Sequence, residues 1–192
     1  MVKKGFFGRP RRSLLRRRRG SDGERGASTV EFALIAPLFF AVVFGGIEIG
    51  LMFRSYLALE DMSRSSARIA SIERDDVDAD GAILSRIAVR SDSLQGDVTR
   101  IVIFKADTLD EEVPADCITA SRSGICNSYA VTNGDVEALA SGGVYENGWD
   151  GPDRRAFDNV GIYIEYEYQY ATGFFDTLTL SSTTVEVIEL DL

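Results

Sequence analysis

The chain of 192 residues contains no histidine. That removes imidazole metal ligands and any nucleophile activated by a histidine base. It also lacks a G-x-S-x-G elbow, a P-loop and a glycine-rich dinucleotide turn. Carboxylates are plentiful, but none is paired in a setting that implies acid–base work. These absences describe a protein that is not an enzyme and that carries no cofactor. Cysteine is scarce: Cys117 and Cys126 stand nine positions apart in CITASRSGIC, with no CxxC pair, which gives a zinc site poor support. Charge is missing over one long stretch. No charged side chain occurs from Phe32 to Ile47, and only Glu48 carries one between Phe32 and Phe53. At about 1.5 Å rise per residue those 22 positions span roughly 33 Å, the thickness of a bilayer's hydrocarbon core.

What is present orients that segment. Residues 1–26 hold ten Lys and Arg against Asp22 and Glu24, a net of +8, while the remaining residues carry a net of −17. Basic flanks stay on the cytoplasmic side, so the N-terminus is expected inside and residues 54–192 outside. An acidic exterior of this size does not suit phosphate backbones, and nucleic acid is not an expected partner. In an oxidising compartment Cys117 and Cys126 are expected to close a ten-residue loop as a disulfide, contributing about 2–3 kcal/mol on loop-entropy grounds. The alternative is two unpaired, small apolar side chains.

The leader is not an ordinary secretory signal. Its apolar stretch exceeds the usual 7–15 residues, and no A-x-A-like site follows closely. Pro10-Arg11-Arg12-Ser13-Leu14-Leu15-Arg16 looks like a twin-arginine motif, but the hydrophobic segment begins some twenty residues later. Gly26, followed by Ala27-Ser28-Thr29-Val30-Glu31 and then the apolar run, resembles the type IV prepilin cleavage signature. GASTVEFALIAPLFF, then Gly45-Gly46-Ile47-Glu48, then SRSSARIAS resemble the TadE-like pseudopilin family of the tight-adherence (Flp) pilus system. The resemblance is clearest over residues 24–72, and residues 75–160 offer no recognisable motif. It implies cutting by a prepilin peptidase between Gly26 and Ala27. It also implies a role for Glu31 in assembly, pairing with the new amine of Ala27 to register a subunit entering a filament. Implied partners are the peptidase, other pilins and pseudopilins, and inner-membrane platform proteins, beside the lipid bilayer itself. The implied location is the bacterial inner membrane, single-pass, with the C-terminal domain periplasmic.

Glu31 also has a bland reading, in which it complements the helix N-terminus and snorkels to the headgroups. Glu48, near the outer end, reads as an interfacial carboxylate, and Gly45, Gly46 and Gly50 beside it would allow close helix approach. Pro37 removes one backbone hydrogen bond inside the apolar helix, as a kink or a neutral bend.

The expected fold class is α+β: a long N-terminal transmembrane and spine helix packed on a small antiparallel β-sheet head, pilin-like. No Pro or Gly occurs between Leu51 and Asp80, so one helix from about Thr29 to Ile72 is the simplest reading. The expected layout is a cytoplasmic leader over 1–26, a transmembrane helix over 27–53, its extramembrane continuation over 54–74 and a head over 75–192. Within the head, Ala82–Val89 reads as a short helix and Val98–Phe104 as a strand buried on both faces. Ile162–Tyr170 alternates plainly, with Ile162, Ile164, Tyr166, Tyr168 and Tyr170 on one face. Leu178–Leu190 is strand-like with a bulge or break expected near Ser181–Thr184. Residues 106–160 read as a loop-rich insertion, leaving a sheet of three strands.

Asp76, Asp78 and Asp80, with Gly81, copy the first half of an EF-hand loop, but Ile87 stands where its bidentate glutamate belongs. The competing reading is a solvated turn with Asp80 capping the next helix. Tyr163, Tyr166, Tyr168, Tyr170 and Trp149 form either a sugar- or partner-binding surface or part of the core. The sequence therefore reads as a structural pseudopilin. The alternative is a permanently anchored periplasmic module that binds or senses a ligand through the aromatic sheet or the three aspartates.

Overall fold

The computed structural model describes residues 22–73, 78–91, 94–139, 149, 153–173 and 176–188. The chain divides into two units, Met1–Val43 and Phe44–Leu192. One helix, α1, runs as Asp22–Ile72 with Pro37 inside it. It starts several residues before the expected Thr29, so Gly26 and Ala27 lie within a helix rather than ahead of one.

In the first unit the apolar side chains of α1 are exposed, among them Phe32, Leu34, Leu38 and Val42. Gly26–Ile72 is the one helix among the described residues long and apolar enough to cross a membrane, and only 6% of its most apolar window is buried. A core helix of a soluble protein would bury that surface, since apolar area this large is not left to water. The helix points to a single-pass membrane protein.

In the second unit the remainder of α1 is joined by α2 (Ala79–Ser91), β1 (Gly96–Ala106), α3 (Ala115–Thr119), β2 (Cys126–Thr132), β3 (Asp135–Ala138), β4 (Asn159–Tyr168) and β5 (Leu178–Val187). The strands form one five-stranded sheet in the order β3-β2-β1-β4-β5, antiparallel at every step. The architecture is α+β with the helix packed on the sheet. Residues 106–160 are not simply loop: they hold α3, β2 and β3. The β2–β3 hairpin turns on Asn133-Gly134, both at positive φ (53° and 85°), the backbone shape that a two-residue type I′ turn requires.

One sheet face packs on the helices. Leu59, Met62, Ala67 and Ala70 of α1, with Ile83 and Ile87 of α2, meet Val98, Ile101, Ile103, Ile162, Ile164, Tyr166 and Tyr168. Each fully buried branched or aromatic side chain there contributes about 1.5–3 kcal/mol. The helix contact stripe is rich in small residues, including the buried Ser63 and Ser66, which bring its backbone close to the sheet. Ser63 Oγ is hydrogen-bonded to the Ile162 carbonyl at 3.1 Å and to Thr184 Oγ1 at 2.9 Å.

That close approach corrects the reading of β5. Its pairing with β4 is unbroken from Leu178 to Val187. Ser182 and Thr184 lie opposite Ile164 and Ile162 on the helix-facing side, where small polar residues fit beneath the serine-rich helix. The sheet irregularity lies instead in β1, between Val98 and Arg100. The second sheet face buries Val102, Phe104 and Tyr163 under Cys117 and Cys126, so β1 is covered on both sides. The two cysteines form a disulfide with Cα atoms 6.1 Å apart. Gly161 is required by this face, because a Cβ there would meet the Phe104 ring at 2.3 Å.

Candidate functional site

The sequence places its processing and assembly residues on the first part of α1. Gly26, Ala27 and Glu31 are exposed on the helix, and a Cβ added at Gly26 would meet nothing within 4 Å. The same open space surrounds Gly45, Gly46 and Gly50, so close helix approach at these glycines is not used among the described residues.

Glu48 is not a lone interfacial carboxylate. It is 4% exposed and holds the turn between β4 and β5. Its Oε1 accepts from the Tyr168 hydroxyl at 3.0 Å and from the Ala171 N–H at 2.8 Å, and its Oε2 accepts from the Thr172 N–H at 3.2 Å. Hydrogen bonds to an ionised carboxylate are the stronger kind. Leu51 and Met52 pack against the core beside it. The head therefore grips α1 from Glu48 onward, within the stretch whose composition suits a membrane span.

A second polar cluster fixes α2. Asp78, rather than Asp80, stands at the start of this helix. Its carbonyl accepts from the Ala82 N–H at 3.1 Å, and its carboxylate lies over Gly81. Asp80 belongs to the first turn of α2 and turns inward, accepting from Asn127 Nδ2 and the Tyr129 hydroxyl, each at 2.6 Å. It also pairs with Arg154, whose guanidinium sits 5.1 Å from the centre of the Trp149 ring. An aspartate so engaged has its oxygens committed to protein donors. Asp76, the first member of the calcium-like series, lies outside the described residues, and no group of three or more potential metal ligands occurs among those described. Nothing in the sequence marks Arg154 as the partner of Asp80, which lies 74 positions away.

The aromatic set is core. Tyr166 and Tyr168 are fully buried, Trp149 and Tyr163 nearly so, and Tyr170 is half-buried, stacked edge-on against Tyr168 at 5.3 Å. Burial pushes the Tyr166 phenol up to about 12. Burial, then the hydrogen bond and charge of Glu48, do the same for Tyr168, also to about 12. Rings buried in this way present no exposed stacking surface for a sugar among the described residues. A cleft of about 260 Å³ lies between Ser91, Leu94, Gly96, Asp97 and Val131. Among the described residues Asp97 is the only carboxylate lining it, and it accepts from Gln169 at 3.1 Å.

The family model for TadE-like protein matches residues 26–68. The match begins at Gly26 and lies wholly on α1, taking in Glu31, Pro37, Glu48 and the sheet-facing Leu59, Met62 and Ala67. No curated protein and no solved structure matches the chain.

Proposed function

We propose that this chain is a minor pseudopilin-like membrane protein that acts structurally in assembly of a tight-adherence pilus. The TadE-like match supports a role related to that pilus system, with pilins and the membrane as its surroundings. The observation that carries the finer reading is the coincidence of that match with an exposed apolar helix bearing Gly26, Ala27 and Glu31 at its start. A prepilin peptidase would cut between Gly26 and Ala27 on the cytoplasmic side. The released amine of Ala27 and the carboxylate of Glu31 would then pair, offsetting the cost of an ionisable group entering lipid.

The +8 leader favours a cytoplasmic N-terminus and a periplasmic head in the inner membrane. The disulfide fits the same side, since such bonds persist in oxidising compartments. Residues 27–53 would be the transmembrane segment, with the helix continuing to about residue 74 as the spine of the head. The partners would be neighbouring pilins and the platform proteins of the machine.

Glu31→Leu tests this. The variant should still insert and fold its head, yet fail to support pilus formation in cells lacking the native copy. Normal piliation with the leucine variant would contradict the assembly role.

A further inference from the structure

We propose that the β4–β5 turn, Tyr170–Gly173, rests in the headgroup layer of the bilayer, so that the head lies against the membrane instead of standing clear of it. The proposal depends on α1 being a membrane span and adds a second, peripheral membrane contact.

Position is the first argument. Glu48 directly follows Ile47, the end of the uncharged run, and Ala171 and Thr172 donate their backbone N–H groups to its carboxylate. The turn is thus fixed at the level of residue 48. On the face of α1 turned away from the sheet, apolar exposure continues past that level: Ile49 is 65% and Phe53 58% exposed. Arg54 is the first basic residue after the run and is suited to reach lipid phosphates. Five residues of helix amount to about 8 Å. Lipid that covers Phe53 therefore reaches beyond the level of the turn.

Chemistry is the second argument. Backbone N–H groups of a turn pressed toward lipid need partners, because water thins out toward the hydrocarbon core. Glu48 satisfies two of them, and Tyr168 in turn helps to hold a carboxylate that would otherwise be costly at this depth. The sequence from Tyr168 to Phe175 carries no charge, and tyrosine, as at the half-buried Tyr170, is a residue favoured at membrane interfaces. The opposite end of the sheet is acidic, with Asp107, Asp110 and Glu112 exposed just beyond β1. The turn's own end also carries carboxylates, Asp97, Asp135, Glu167 and Asp176, which belong at headgroup level in this arrangement.

The test uses the full chain in nanodiscs of phosphatidylethanolamine and phosphatidylglycerol. Single spin labels are placed at Ala171→Cys, Thr108→Cys and Phe39→Cys, and collisions with oxygen and with a water-soluble nickel chelate are compared. The label at 171 should meet less chelate and more oxygen than the label at 108, with the label at 39 deeper than both. If 39 lies in lipid while 171 matches 108, the head stands clear and the proposal falls alone. An aqueous label at 39 would overturn the membrane span and this contact together. As a second readout, Tyr170→Trp should add fluorescence that acyl-brominated lipids quench beyond the signal of Trp149. No added quenching would count against the contact.

Discussion

The Tyr168 hydroxyl donates to Glu48 Oε1 at 3.0 Å across 120 positions of sequence. With the two N–H groups of Ala171 and Thr172, it fastens the β4–β5 turn to the helix through one glutamate. Removing that carboxylate leaves the buried Tyr168 hydroxyl and two part-buried N–H groups without that partner, and the buried hydroxyl bears most of the cost.

Glu48→Ala should destabilise the head more than Glu48→Gln does, with Tyr168→Phe costing about 1–2 kcal/mol. The double variant Glu48→Ala/Tyr168→Phe should lose less than the sum of its parts. Chemical denaturation followed by near-ultraviolet circular dichroism measures this. Strict additivity would show that the two groups do not act together.

Asp80→Asn should be worse. It strips the countercharge from Arg154, which is 3% exposed, and breaking one partner of a buried pair costs about 3–5 kcal/mol. The same denaturation experiment should find a head close to unfolding. Replacing both residues with apolar ones of similar volume should recover a good part of the loss.

Alkali should unfold the head through its buried phenols. Tyr166 and Tyr168 are raised from 10.0 to about 12 by burial, and burial and the charge of Glu165 also raise Tyr163. Each fold-dependent contribution is complete below the unfolded value near 10. It is lost as pH climbs toward 12, because the unfolded chain gives up its protons first. Stability should hold level through neutral pH and fall between about pH 10 and 12. Tyrosinate absorbance should rise together with loss of tertiary signal, and Tyr168→Phe should make the fall shallower.

The sequence was most legible where one periodicity served one neighbour. The alternation of Ile162, Ile164, Tyr166 and Tyr168 marks β4 because that strand has one face on the helices, and Val98–Phe104 reads as doubly buried because β1 is central. The β2–β3 hairpin was missed although Asn133-Gly134 is a strong turn signal between alternating runs. Glycine, asparagine and aspartate around it gave the region a loop-like composition. Ser182 and Thr184 suggested a break in β5 because their polarity was read without the small-residue helix they face. The buried bonds of Glu48 and Asp80 are illegible for a different reason. Their partners lie 120 and 74 positions away, and local pattern carries no information about pairing at that distance.

A pseudopilin of this kind is processed before use. Intact mass and N-terminal sequence of the protein purified from membranes of cells with an active prepilin peptidase should show a chain that begins at Ala27. A protein that keeps its leader from Met1 in those cells would contradict it.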